Sequence, residues 1–213
     1  VKPALVILAA GASRRLGACK ALVDLGGRSP LARLLDAGRA LDGARPLVVT
    51  GAHDAAIRAA CPPGVDVLFN PDWAAGRTGG VALASRARPG LDLVIAPVDV
   101  PLVPAEVFEA LCAAWIANGS PARGWLGPFV RREITDQVVA RFGHPVVVGP
   151  DLVRELVTGG KDFPGSVPRS RIVTLRDLRQ IAAPTISIQV ESARILDDLD
   201  TPEDLERLRA LVS

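Results

Sequence analysis

Two arginines and a lysine sit in a glycine turn directly behind a short apolar run: Ala4-Leu-Val-Ile-Leu-Ala-Ala10 leads without a break into Gly11-Ala-Ser-Arg-Arg-Leu-Gly-Ala-Cys-Lys20. Glycine lets the main chain approach oxygen atoms closely because no Cβ intervenes. The backbone N–H groups of such a turn point at anions. Arg14, Arg15 and Lys20 add charge that a merely structural turn would not need. The chemistry implied is the holding of a polyphosphate. The spacing is neither G-x-G-x-x-G nor G-x-x-x-x-G-K-[ST], so neither a dinucleotide fold nor a Walker ATPase is indicated.

A carboxylate near such a loop makes sense only with a cation between it and the phosphates, and Mg²⁺ takes oxygen ligands from both. Asp99, in Val98-Asp99-Val100-Pro101, is the first candidate ligand. It follows an apolar strand, and in open α/β sheets ligands sit beyond the carboxyl ends of the strands. A capping role before Pro101 is the alternative. Leu196-Asp-Asp-Leu-Asp-Thr-Pro-Glu-Asp204 offers more carboxylates. Thr201 to Asp204 read as a capping box with Pro at the first turn.

The elements that must position these groups alternate. Pro46-Leu-Val-Val-Thr50, Val65-Asp-Val-Leu-Phe69 and Leu91-Asp-Leu-Val-Ile-Ala-Pro-Val98 read as strands. Helices are expected from Ser29-Pro30 onward with Leu31, Leu34, Leu35 and Leu41 on one face, over 52–60, and over 103–118 with Val107, Leu111 and Trp115 inward. This alternation predicts an α/β fold, a mostly parallel sheet with helices on both faces. From Gly119 to about Arg171 glycines and prolines interrupt the pattern, and Pro145-Val-Val-Val148 is the clearest strand. We read 1–213 as a single domain with 119–171 as an insertion. Order returns with Ile186-Ser-Ile-Gln-Val190 and a final helix.

The first loop matches L-A-A-G-x-S-x-R-M-G-x-x-K, with Leu16 in the methionine position, and Leu196 to Asp204 matches a D-I-D-T-P-E-D element. The chain thereby resembles the MobA-like nucleotidyltransferases, most closely the molybdenum-cofactor cytidylyltransferases. The resemblance is tight over the first 25 residues, around Asp99 and before the final helix, and loose between Gly119 and Pro184. It implies a Rossmann-like fold of the nucleotide-diphospho-sugar transferase type. It also implies Mg²⁺-dependent transfer of a nucleoside monophosphate to a phosphorylated acceptor, with pyrophosphate released. Arg15, Lys20 and Asp99 are then catalytic, and Asp99 and Asp198 hold the metal with Asp200 in reserve. Leu8, Ala9, Ala10, Gly11 and Ala12 position base and ribose beside Arg15 and Lys20. Asn70-Pro-Asp-Trp-Ala-Ala-Gly-Arg-Thr-Gly-Gly80 resembles the family's base-pocket loop, which adds Asn70, Gly76 and Gly79, although Thr78 to Gly80 stand where serines are usual. Trp73 either lines that pocket or anchors the loop.

Gly143-His144-Pro145 resembles an acceptor-side element; His144 touches the acceptor phosphate or shapes the strand. Gly159-Gly-Lys-Asp-Phe-Pro-Gly165 departs from the family's G-D-x-G-A-R stretch, which bears on the acceptor. Leu8-Ala-Ala-Gly11 favours CTP over GTP, since guanine users carry L-A-G-G there and one added Cβ narrows the floor under the base. The rival readings are a sugar-1-phosphate or other phospho-alcohol nucleotidyltransferase, and a nucleotide- or cofactor-binding protein without turnover.

A net charge of +2 on 213 residues argues against a nucleic-acid or membrane-surface binder. Three cysteines, Cys19, Cys61 and Cys112, form no C-x-x-C pair or disulfide ladder, and a reducing cytoplasm is expected. Cys19 has a structural role rather than that of a nucleophile, and His53, at a helix start, is expected on the surface or as a cap. No targeting segment or membrane span is read.

Overall fold

The computed structural model describes residues 2–134, 137–158 and 174–212. Its centre is β1 (Ala4–Ala9), every residue of which is buried. β2 (Leu47–Thr50) and β4 (Leu93–Pro97) pair parallel to β1 on either side, and β3 (Asp66–Phe69) pairs parallel to β2. Beyond β4 the short β7 (Val146–Val148) runs antiparallel, followed by β5 (Trp125–Ile134). β5 carries the antiparallel β6 (Gln137–Phe142) and the parallel β8 (Thr185–Gln189). Six of the eight strands therefore point the same way, and β6 and β7 run against them.

A strand presents alternate residues to opposite faces, and β1 does so: Leu5, Ile7 and Ala9 face one core, Ala4, Val6 and Leu8 the other. The first core is closed by α1 (Pro30–Ala37), α2 (Asp54–Ala60) and α4 (Ala105–Ala117) through Leu31, Leu34, Ile57, Phe108 and Trp115. The second is closed by α3 (Arg77–Ala87), α5 (Pro150–Thr158) and α6 (Leu175–Ile181) through Val81, Ala84, Leu152, Val153 and Leu178. The fold is α/β with helices on both faces of a mostly parallel sheet.

Local chemistry explains the boundaries. Ser29 Oγ accepts from the Ala32 amide at 3.2 Å and Pro30 occupies the first turn, so α1 starts where the sequence marks it. It tightens into a 3₁₀ turn at Gly38–Ala40, where a Cβ on Gly38 would lie 2.5 Å from Leu5 Cδ2; only glycine lets the helix end sit on β1. α2 begins at Asp54 rather than Ala52 because the chain first turns, with the Asp54 amide bonded to the Gly51 carbonyl at 3.1 Å. α7 (Pro202–Arg209) opens on the expected box: Thr201 Oγ1 accepts from the Asp204 amide and Asp204 Oδ2 from the Thr201 amide.

Two helices carry no strong sequence signal. α3 has two glycines in its first turn and little apolar contrast, and it buries little more than Val81 and Ala84. α6 is seven residues long and buries Leu178. The region that reads as irregular also holds the longest strand: β5 runs ten residues through Gly127 and Pro128 because it is paired along both edges. The stretch 159–165 lies outside the described residues. Among the described residues no helix is long and apolar enough to cross a membrane.

Candidate active site

The segment after β1 folds back on itself. Ser13 adopts φ +52°, a left-handed conformation that costs a non-glycine residue about 1 kcal/mol or more. Three sets of hydrogen bonds hold it there. The Ser13 carbonyl accepts from the amides of Leu16 (3.1 Å) and Gly17 (3.0 Å). Ser13 Oγ accepts from the Lys20 amide at 3.1 Å. The preceding carbonyl, that of Ala12, lies 3.2 Å from His53 Nε2, which donates to it. Gly17 at φ +76° completes the reversal.

The loop also has its own apolar anchor. Leu16 and Leu25 bury against Leu199 and Leu208, a third cluster that ties the phosphate loop to the chain's end. Burying each such side chain contributes about 1.5–3 kcal/mol. Its consequence is electrostatic. The Leu199 amide donates to the Asp99 carbonyl at 2.7 Å, which sets the turn before α7 against the end of β4. The Asp200 amide is held by Asp204 Oδ2 at 3.0 Å. Asp200 then meets the loop's cations: Lys20 Nζ donates to Oδ1 and an Arg15 guanidinium nitrogen to Oδ2, each at 2.7 Å. Lys20 Nζ is also 3.9 Å from Asp99 Oδ2. The Lys20 hydrogen bond, reinforced by the charges of Lys20 and Arg15 against the opposing pull of burial, holds the Asp200 carboxyl below the usual carboxylate range.

These groups open onto a cavity of about 330 Å³ at the carboxyl ends of β1, β2 and β4. Of the residues singled out by sequence, Leu8, Ala10, Gly11, Arg15, Lys20, Asn70, Gly76 and Asp99 line it. Others fall elsewhere. Ala9 points into the opposite core, Ala12 serves as acceptor for His53, and Gly79 lines a separate groove that shares Asn70. His144 belongs to another cavity. Asp198 is exposed, and its carbonyl accepts from Arg207 at 3.0 Å; the carboxylate that this segment brings to the cavity is that of Asp200. The alignment favours Asp198, whereas the structure brings Asp200 to the cavity, with the intervening Leu199 amide bonded to the Asp99 carbonyl.

Arg14, one of the loop's three cations, lines the cavity beside Arg15. Two further residues carry weight that spacing did not reveal. Gly51 is required because a Cβ there would run into the Ala10 carbonyl and lie 2.6 Å from Trp73 Cβ; Trp73 both anchors its loop there and lines the cavity. His53 makes no capping bond but fixes the loop, a link between residues 41 apart that no local pattern encodes.

Asn70 is 2% exposed. Its Oδ1 accepts from the Asp72 amide at 3.1 Å, while Nδ2 is buried without a hydrogen-bond partner among the described residues. Leaving such a donor unsatisfied costs about 1–3 kcal/mol. Below it, Gly80 lets α3 close on the strands, since a Cβ there would meet Val49 Cγ1 at 3.3 Å and Leu8 Cδ2 at 3.5 Å. One end of the cavity is thus apolar and flat, the other cationic with two carboxylates.

Comparison with known proteins bears on the fold and the family. A search of curated proteins found no match. Among solved structures, Rv0371c from Mycobacterium tuberculosis H37Rv is 24% identical, with 99% of this chain and 98% of that chain covered and a TM-score of 0.73. The same protein was also crystallised as a complex with manganese. The 2-C-methyl-D-erythritol 4-phosphate cytidylyltransferase of Thermus thermophilus is 21% identical, covering 100% and 99%, with a TM-score of 0.68. Molybdopterin-guanine dinucleotide biosynthesis protein A from Archaeoglobus fulgidus is 20% identical, covering 97% of each chain, with a TM-score of 0.64. At these identities the likeness shows the fold. The model of the MobA-like NTP transferase domain matches residues 5–162, from the first buried strand through the phosphate loop, Asn70 and Asp99 to α5, and the chain therefore belongs to the MobA-like NTP transferase family, as a nucleotidyltransferase.

Proposed function

We propose that this chain transfers CMP from CTP to a phosphorylated small-molecule acceptor, with a molybdopterin-type cofactor the leading candidate, and releases pyrophosphate. The observation that carries the reading is the meeting of Arg15 and Lys20 with Asp99 and Asp200 at one end of a cavity whose other end is apolar.

The metal reading fits the donor set. Both carboxylates lie within reach of one lysine nitrogen, and Asp99 is 8% exposed. Among the described residues no group of three or more His, Cys, Asp or Glu could hold a metal, so Asp99 and Asp200 would share a divalent cation with substrate oxygens, as Mg²⁺ commonly requires. A cation held there supplies neutralisation of the charge on the reacting phosphate oxygens. The manganese complex of a structural neighbour is consistent with this.

The chain's own residues do the rest. Arg15 and Lys20 exchange Asp200 for the β- and γ-phosphates and neutralise the departing pyrophosphate. Arg14 adds a third cation at the mouth. Leu8, Val49 and Gly80 form the floor for the base, Asn70 Nδ2 offers it a donor, and Ala10 narrows the space that a two-ring base needs. A phosphomonoester acceptor has its second pKa near about 6, so its oxygen attacks the α-phosphorus without a protein base. Positioning and charge neutralisation suffice.

The test is pyrophosphate release with CTP, GTP, ATP and UTP, each against molybdopterin, sugar 1-phosphates and phospho-alcohols, with and without Mg²⁺. Metal-dependent release with CTP and molybdopterin is expected. Release only with a sugar 1-phosphate reassigns the acceptor, and nucleotide binding without release under any combination overturns the enzyme reading.

A further inference from the structure

His144 lies in a cavity of about 200 Å³ that shares no lining residue with the nucleotide cavity. β7 enters the sheet beside the end of β4: Val146 pairs with Ile95, two residues before Pro97, which lines the nucleotide cavity. The second cavity lies over β5, β7 and β8, through Trp125, Gly127, Val146 and Ser187.

The composition of this second cavity is one-sided. Its described lining includes His144, Arg176, Arg179 and Ser187 and no acidic residue. Neither Arg176 nor Arg179 pairs with a carboxylate among the described residues. The Arg179 guanidinium stands 4.3 Å from the centroid of the Phe142 ring, a cation–π contact, and Phe142 is 45% exposed. An unneutralised pair of guanidinium groups beside an exposed ring matches an anion attached to a flat ring.

The walls are preformed. α6 starts on a capping box between Thr174 and Asp177, buries Leu178, and its Arg179 carbonyl accepts from Thr185 Oγ1 at 3.3 Å. On the other side the Gly143 amide donates to the Pro128 carbonyl and the His144 amide to the Ile195 carbonyl, both at 3.1 Å. A Cβ on Gly143 would collide with that same Ile195 carbonyl.

We propose that this cavity is a second anion site, one that binds a ring-bearing phosphate with the ring against Phe142 and the phosphate between Arg176 and Arg179. The binding does not rest on the transferase reading. Phenyl phosphate is the probe, titrated by calorimetry against the intact chain, the Arg176→Gln/Arg179→Gln double variant, Phe142→Leu and Lys20→Ala. Phenyl phosphate should bind the unmodified chain more tightly than inorganic phosphate does. The double variant should lose at least tenfold in affinity, Phe142→Leu should fall to the level of inorganic phosphate, and Lys20→Ala should bind as the unmodified chain does. No binding to the unmodified chain, equal binding to the double variant, or loss confined to Lys20→Ala overturns the proposal. Arginine-dependent binding in a chain that releases no pyrophosphate under any nucleotide and acceptor combination would sustain this site and sink the transferase reading.

Discussion

The two cavities treat charge in opposite ways. In the nucleotide cavity Lys20 and Arg15 are already bound to Asp200, and Lys20 also faces Asp99. In the His144 cavity Arg176 and Arg179 face no carboxylate among the described residues. Carboxylates beside cations repel a bare polyanion unless a cation accompanies it, so on the readings proposed above the first cavity would take a triphosphate together with a divalent cation and the second an anion alone. The difference arises from topology. The first cavity collects the ends of the parallel strands β1, β2 and β4 and the turn before α7, whereas the second is built where antiparallel β6 and β7 meet α6.

The sharpest way to break this contrast is Asp99→Asn, which keeps volume and hydrogen bonding but deletes the more buried of the two carboxylates. Turnover should fall by about 100-fold or more, with the thermal unfolding midpoint little changed, on the scale that loss of one electrostatic group in a catalytic site produces. Unaltered metal-dependent rates would falsify the division. Asp200→Asn should come next in turnover and Asp198→Asn should be near neutral; the reverse order would mean that the turn before α7 presents the other aspartate in solution.

Asp200→Asn also has a pH signature. The carboxyl of Asp200 is depressed in the folded state by Lys20 and Arg15, so its contribution to stability is present above about pH 4 and is lost as the pH falls through the folded value. The variant should therefore show less acid sensitivity below about pH 4 than the unmodified chain in chemical denaturation.

A third change probes the cations. Lys20→Ala should cost about 2–4 kcal/mol of transition-state stabilisation and more than Arg14→Ala, since Lys20 bridges both carboxylates while Arg14 lies at the exposed mouth. Steady-state kinetics on both variants decide it, and a larger loss in Arg14→Ala would reverse their roles.

The smallest effects sharpen the picture without breaking it. Ala10→Gly should narrow a CTP preference over GTP, which one methyl group limits to about 1–3 kcal/mol. Competition binding with Mg²⁺ measures it, and tighter GTP binding by the unmodified chain would remove the cytidine assignment. His53→Ala should raise the triphosphate KM several-fold while leaving kcat nearly unchanged, because it frees the Ala12 carbonyl and loosens the loop without touching the chemistry. His53→Gln, which can still donate, should recover most of the loss.

How much of this was legible differs from residue to residue. Gly11 to Lys20 announces a phosphate loop because glycines, cations and the preceding strand are contiguous, and the capping chemistry at Ser29 and Thr201 is equally local. Asp99 could be placed because a strand end before Pro101 has few other positions in an α/β sheet. Helix α3 was not legible: Gly79, Gly80 and the interspersed Ala82, Ala84 and Ala87 give almost no periodic contrast, and the helix exists because Val81 and Ala84 fill the space over β1. Likewise β5 contains Gly127 and Pro128, which argue against a strand, and it is held by partners on both edges that lie elsewhere in the chain.

The first loop, the alternation of strands and helices, and the family all follow from residues adjacent in sequence, since propensity, capping and glycine geometry act over a few residues. The choice of Asp200 over Asp198, the tethering of the loop by His53, and the gathering of His144 with Arg176 and Arg179 into a cavity of their own depend on contacts between residues that are distant in sequence. Such contacts form only when burial of Leu16, Leu25, Leu199 and Leu208 closes the chain's end over its beginning, and when antiparallel β7 inserts between β4 and β5. They are properties of the packed whole, where a hydrogen bond at Leu199 outweighs any local preference.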